Sequence, residues 1–239
     1  IQYEGLQIDE HVSEILNTCV QCRGCEPACP SGVPYGRLIE AAKNEMARQR
    51  RTAPWWQRFG LRLLRHHRLL LIGTPLLAIG QRLHLIPKRA GLSTLPIRLG
   101  APIAPTSTSP DVWLFTGCVM DAWQRSTHRS TAALIQAAGC TFGVPSKAGA
   151  CCGALHSHAG LTHEAQTLAR SVMTSMPGTA PIVVDSAGCG AALKDYGHLL
   201  GTSEAVAFSE RVFDVHEWLE PHMNSIITTH MSDTDKIDV

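Results

Sequence analysis

Apolar and polar positions fall into three successive textures along the chain. Residues 1–52 read as helix, loop, helix: Val12, Ile15 and Leu16 recur on one helical face, as do Tyr35, Leu38, Ile39 and Ala42 further on. Gly32 and Pro34 punctuate the entry to the second helix. From Asp111 short apolar runs alternate with helical segments. "DVWLFTG", "CTFGVP", "PIVVDSAG" and the start of "RVFDVHEWLE" read as strands. "AWQRSTHRSTAALIQAAG", "EAQTLARSVMTSM" and "AALKDYGHLL" read as helices. The continuous apolar run of "PIVVDSAG" is of the kind buried on both faces. Such alternation predicts right-handed crossovers and a mainly parallel sheet covered by helices. The fold class expected is therefore α+β overall, a helical N-terminal domain followed by an α/β domain. The boundaries expected are 1–52, a connector at 53–110, the α/β domain at 111–222 and a polar, patternless tail at 223–239.

Charge sharpens the picture of the connector. The chain as a whole is nearly neutral, with a formal net charge of +1. Yet no acidic residue lies between Glu45 and Asp111, while Arg48, Arg50, Arg51, Arg58, Arg62, Arg65, Arg68, Arg82, Lys88, Arg89 and Arg98 all do. The uncharged run Leu69–Gln81 is interrupted by Gly73, Thr74 and Pro75 and is shorter than the roughly 20 apolar residues a spanning helix needs. Trp55, Trp56, Phe59, Leu63 and Leu70 form an apolar stripe among the arginines. That stripe suits a helix lying on an anionic membrane surface or docking on an acidic partner. It equally suits a packed crossover between domains. Nucleic-acid binding is not expected, because the aromatics are few and follow helical spacing. The connector ends in "APIAPTSTSP", which reads as a linker.

Cysteine usage brings in the chemistry. There are nine cysteines in 239 residues, an odd number, and no N-terminal secretion pattern precedes them. Reduced, clustered thiols of this kind point to metal ligation rather than a disulfide framework, and to a cytoplasmic setting. The first residue is Ile rather than Met, so the sequence reads as a processed or truncated piece.

Cys19, Cys22, Cys25 and Cys29, followed by Pro30, have the C-x2-C-x2-C-x3-C-P spacing of a cubane iron–sulfur ligand run. Thiolates at this spacing can hold neighbouring irons while loop N–H groups hydrogen-bond to sulfur. Gly24 permits the tight turn, and Pro30 ends the ligand loop ahead of a fresh helix. Zinc is the competing ligand, although zinc sites usually bring two separated pairs. Either Cys29 closes a lone cluster, or it serves a second one whose motif lies outside this sequence; the latter is the expectation. Further on, Cys118 and Cys189 each follow a strand and precede a helix, and Cys151 and Cys152 lie after the second strand. Three loops would thus bring four thiols to the carboxyl edge of the sheet. Cys140, at a strand start, is expected only to pack. His156, His158 and His163 near Cys151-Cys152-Gly153 are candidates for supporting donors, though more simply solvated. No phosphate-binding loop, Ser/His/Asp arrangement or paired-carboxylate site is evident.

Together these residues resemble the iron–sulfur subunit of glycolate oxidase and its relatives: the cysteine-rich subunits of anaerobic glycerol-3-phosphate dehydrogenase, lactate-utilisation proteins and heterodisulfide reductase. "CVQCRGCEPACPSGVPYGRLIE" is similar to the second of two ferredoxin motifs in that family. "TGCVMD", "CCGALHSHAG" and "DSAGCGAALKDYG" are similar to the first of its two CCG domains. Ala192 stands where the family pattern has a final cysteine, so a four-thiol site is expected. The resemblance implies a ferredoxin-type N-terminal domain and one or two 4Fe-4S clusters held by Cys19, Cys22, Cys25, Cys29, Cys118, Cys151, Cys152 and Cys189. It also implies a role in electron transfer. Substrate chemistry would then reside on an FAD-containing dehydrogenase subunit oxidising a glycolate-type 2-hydroxy acid. Electrons would pass on to a quinone or another acceptor, with the subunit in the cytoplasm or peripheral on the membrane. Alternatives are a zinc-stabilised scaffold or the corresponding subunit of a glycerol-3-phosphate or lactate dehydrogenase complex. The resemblance further implies an additional ferredoxin motif before residue 1 and a second CCG domain after about residue 220.

Overall fold

The computed structural model describes residues 10–19, 21, 23–49, 59–61, 66–86, 94–145 and 151–227. A four-stranded sheet organises the C-terminal half. Its strands are β1 (Val112–Phe115), β2 (Phe142–Gly143), β3 (Ile182–Val184) and β4 (Val212–Asp214), all parallel in the order β2-β1-β3-β4. The register pairs Trp113 with Gly143 and Ile182, and Val183 with Phe213. Every residue of β3 is fully buried. The strand alternation divides the core: Phe115, Ile182, Val184 and Val212 join Val172, Met176, Leu193, Tyr196 and Phe208 on one face. Val112, Leu114, Phe142 and Val183 join Ala132, Ile135 and Trp218 on the other. The expected parallel, helix-covered sheet is therefore present.

Helices fill the connections: Val119–Trp123 and Arg125–Ala137 after β1, Ala154–His158 and Thr162–Ser175 after β2, and Ala187–Lys194, Tyr196–Leu200 and Ser203–Ser209 after β3. "AALKDYGHLL", read as one helix, is two segments divided at Asp195. Val215–Leu219 follows β4 and starts on a capping box between Asp214 and Glu217, which satisfies the first N–H groups. Of the expected tail, residues 228–239 lie outside the described residues. Residues 223–227 are helical and Ile226 is buried.

The N-terminal part carries helices Glu10–Thr18, Cys25–Ala28 and Tyr35–Arg48. Ile39, Ala42 and Met46 are buried along the last of these, whereas Tyr35 and Leu38, expected on the same face, are exposed, as is Ile15. This part packs directly on the α/β part. Gly160 (φ +71°) lies against the helix Tyr35–Arg48 so closely that a Cβ there would come within 2.6 Å of the Lys43 carbonyl oxygen. The Thr162 hydroxyl donates to Asn44 at 2.5 Å beside it.

The connector contains the helix His67–Arg82, which runs through Gly73, Thr74 and Pro75 instead of being interrupted there. Pro75 costs the helix one N–H donor, and the Thr74 hydroxyl donates back to the Leu70 carbonyl at 2.7 Å. The helix is anchored on the α/β part. Trp123 Nε1 donates to the buried Thr74 hydroxyl at 3.0 Å, and His67 Nε2 meets Asp121 at 2.8 Å. Among the described residues no helix is long and apolar enough to cross a membrane.

Candidate metal centre

The strand order places a topological switch between β1 and β3, because the chain steps to β2 on one side and later to β3 and β4 on the other. In open parallel sheets a crevice forms at the carboxyl ends of such a strand pair. Cys118 and Cys189 flank it. Gly117 turns the chain out of β1 with φ +63°, and a Cβ at that position would stand 3.5 Å from Cys189 Sγ. That distance is ordinary contact, so it is the left-handed turn rather than space that calls for glycine here. Cys151 and Cys152 arrive from the loop after β2 and are buried, as is Cys118.

The four thiols meet as two pairs. Cys152 Sγ donates to Cys189 Sγ at 3.4 Å. That hydrogen bond raises the Cys152 thiol, burial raises it further, and the same bond lowers Cys189. Cys189 also accepts from Ser186 near the N-terminus of helix Ala187–Lys194, where helical N–H groups favour negative charge. Cys118 is raised by its hydrogen bond with Cys151 and then by burial. No disulfide occurs among the described cysteines. Among the described residues no three Cys, His, Asp or Glu donors converge on the point a single metal ion would occupy.

The third glycine-bearing turn explains the Cys-Cys-Gly order. Gly153 adopts φ +85° and starts the helix Ala154–His158, and a Cβ there would lie 3.1 Å from the Ala165 carbonyl oxygen. Only glycine allows the vicinal cysteines to be pressed against the helix Thr162–Ser175. Two groups that the sequence did not single out brace the same site. Fully buried Tyr196 donates its hydroxyl to the Cys152 carbonyl at 2.8 Å. Below Cys189, at the end of β3, Asp185 accepts from Thr131 at 3.2 Å and pairs with His128 Nδ1 at 2.7 Å, both side chains buried.

In the N-terminal loop Cys19 follows the helix Glu10–Thr18, Cys25 opens the helix Cys25–Ala28 and Cys29 caps it. Cys22 lies outside the described residues. Gln21 and Arg23 take left-handed φ of 55° and 58°, winding the loop tightly enough for the Gln21 N–H to reach Cys19 Sγ at 3.3 Å. Backbone N–H groups of Val33, Ser31 and Gly32 hold the Cys29 thiol below its ordinary value. Tyr35 hydrogen-bonds Cys19, and its phenol is raised by burial and by the neighbouring thiol charges.

This loop faces Cys152 across a cavity. One cavity is lined by Gln21 and Arg23 from the loop and by Cys152, Gly188, Ala192 and Tyr196 from the α/β part. Arg23 donates to Glu40 at 2.7 Å and to Asp195 at 3.1 Å, joining the loop to the end of the helix that carries Cys189. Gly36 leaves the path open, since a Cβ there would meet Arg23 Nε at 2.6 Å. An arginine in a cysteine loop carries no sequence signal for a carboxylate 172 residues away. Of the three histidines singled out, His156 is buried, His163 is exposed, and His158 lines the cavity. Burial, then the charges of Arg23 and Lys43, lower the His158 imidazole to about 4. Cys140 sits apart, its Sγ against the Ala138 carbonyl.

Residues 112–194 match the cysteine-rich domain family CCG. The chain is 30% identical to the probable glycolate oxidase iron-sulfur subunit of Bacillus subtilis, over 87% of this chain and 54% of that protein. It is 27% identical to the glycolate oxidase iron-sulfur subunit of Escherichia coli, over 82% of this chain and 50% of that protein. It is also 30% identical to lactate utilization protein A of Anoxybacillus flavithermus, over 44% of each. The chain spans about half the length of the first two relatives. No solved structure matches it.

Proposed function

We propose, for a chain whose residues 112–194 carry a CCG cysteine-rich domain, that it is the iron–sulfur electron-transfer subunit of a flavin-dependent 2-hydroxy-acid dehydrogenase of the glycolate type. The observation that carries this reading is the meeting of Cys118, Cys151, Cys152 and Cys189 at the sheet's switch point, with Gln21 and Arg23 of the N-terminal loop lining a cavity beside Cys152. An all-thiol donor set on glycine-opened loops fits an iron–sulfur group. Cys118, Cys151, Cys152 and Cys189 would hold one, and Cys19, Cys22, Cys25 and Cys29 would ligate in the N-terminal loop. Such a group, when bound, accepts and releases single electrons.

The chain's own residues do the rest. N–H groups directed at Cys19 and Cys29, and the Tyr35 and Ser186 hydroxyls at Cys19 and Cys189, stabilise thiolate charge without a change of geometry. Tyr196 and Gly153 fix the Cys152 backbone, and Arg23 keeps the two cysteine regions in register. Oxidation of a 2-hydroxy acid to the 2-oxo acid on an FAD-containing partner would release two electrons, passed singly through this subunit to a quinone or another acceptor. A partner subunit and a glycolate-type substrate are suggested by the relatives' names, and the flavin by the family resemblance.

Anaerobic purification followed by iron, acid-labile sulfide and zinc quantification tests the reading. The protein is expected to be brown, to contain several irons per chain, and to give a reducible paramagnetic signal. Cys152→Ser and Cys25→Ser should each lower bound iron. A colourless protein with stoichiometric zinc would overturn the assignment in favour of a zinc-stabilised scaffold.

A further inference from the structure

We propose that the outer face of the helix His67–Arg82 is a docking surface for an anionic lipid bilayer. Its inner face is taken by the α/β part through His67–Asp121, Thr74–Trp123 and buried Ala78. On the opposite side Leu69, Ile72, Leu76, Ile79 and Leu83 are between 44% and 66% exposed. Their spacing of three and four residues lines them up along roughly 20 Å of helix, within an arc of about 80°. Leu77, also exposed, and Gly73 and Gly80 extend that arc on one border without adding charge, to about 160°. Exposed Arg68 and Arg82 line the other border. These residues differ from the stripe the sequence suggested, of which Phe59 is exposed and Leu70 half-buried, while Trp55, Trp56 and Leu63 lie outside the described residues.

Charge selects the occupant. The helix belongs to a stretch without a single Asp or Glu from residue 46 to residue 110, Asp121 meets it on the inner side at His67, and Arg82 bonds the Ala78 and Leu95 carbonyls at 3.0 and 3.4 Å rather than a carboxylate. A second copy of the chain seated here would bring arginines against arginines. A partner helix would use a narrower seam than the uncharged arc offers. A bilayer containing anionic lipid accepts the whole arc into its headgroup–acyl boundary and pairs the flanking arginines with phosphate. The helix would lie in the plane of the interface, being too short to cross it. The proposal does not depend on bound iron.

The full chain is mixed with sedimentable vesicles of phosphatidylcholine alone, or of phosphatidylcholine with phosphatidylglycerol, at low and high salt. It should pellet with the anionic vesicles and be released by salt. Ile72→Glu combined with Leu76→Glu should weaken partitioning at least tenfold while leaving circular dichroism and thermal unfolding unchanged, because both side chains face solvent. Arg68→Gln should weaken it by about fivefold. Equal binding to neutral and anionic vesicles, no binding to either, or binding indifferent to the paired glutamates would each overturn the proposal. So would self-association in sedimentation velocity that the paired glutamates abolish without any vesicle binding.

Discussion

Replacing Arg23 by methionine isolates the contact that holds the N-terminal cysteine loop across the cavity from Cys152. The guanidinium is 18% exposed and its two carboxylate partners, Glu40 and Asp195, are each 15% exposed. At 2.7 and 3.1 Å each attraction is gross about 5 kcal/mol at an effective dielectric of about 20. Most of that is offset by desolvation and by residual solvent screening. Breaking a fully buried pair costs about 3–5 kcal/mol and an exposed one under about 1, so about 2 kcal/mol is expected here. Methionine keeps the packing of the stem but leaves two carboxylates facing each other. Burial already raises the Glu40 carboxyl, Asp195 raises it further, and Arg23 opposes both. Without Arg23 its folded-state value rises again, so the penalty is present at neutral pH and is relieved as Glu40 takes up a proton below it. Urea unfolding at pH 7 and at pH 5 measures both the loss and its relief, and amide hydrogen exchange over residues 23–29 reports loop release. A variant within about 0.5 kcal/mol of the parent, with unchanged exchange, would refute the clamp. Arg23→Lys should recover part of the loss, since a point charge serves one carboxylate at a time.

The half-buried His158 predicts a second pH dependence. Its folded value of about 4 lies below the unfolded 6.5, so the stability it contributes is complete above pH 6.5 and is lost as pH falls toward 4. The loss is about 3 kcal/mol before the partial exposure of the ring trims it to about 2, and urea unfolding of His158→Gln should show a flatter pH profile over that window. Gly160→Ala combines a left-handed φ of +71° with a Cβ 2.6 Å from the Lys43 carbonyl oxygen, so it should loosen the helix Tyr35–Arg48. A cost of about 2 kcal/mol or more is expected by chemical denaturation, with increased protease sensitivity near Asn44.

The expected strands appear where period and β-type apolar runs placed them, because burial on two sheet faces writes directly into local sequence: Ile182, Val183 and Val184 could serve little else. The helix His67–Arg82 was harder to read. Gly73 and Pro75 speak for a break, but Trp123 and Asp121 hold the segment together from a distant part of the chain. Which residues of that helix face water is likewise fixed by what its other side rests on, and this exposes Leu69, Ile72, Leu76, Ile79 and Leu83, an apolar row that the local pattern did not single out.

Spacing alone singled out Cys19, Cys22, Cys25 and Cys29 as candidate donors, since four thiols so close in sequence cannot lie far apart whatever the rest of the chain does. Only the tertiary structure decided that Cys152 stands against Cys189, that Cys118 pairs with Cys151, and that Arg23 reaches Asp195. Those contacts join segments separated by many residues, and their geometry is set by strand order, by the left-handed turn at Gly117 and by the close approaches that Gly153 and Gly160 permit. A local pattern can name the donor atoms; the distances between donors from different loops are a property of the packed sheet.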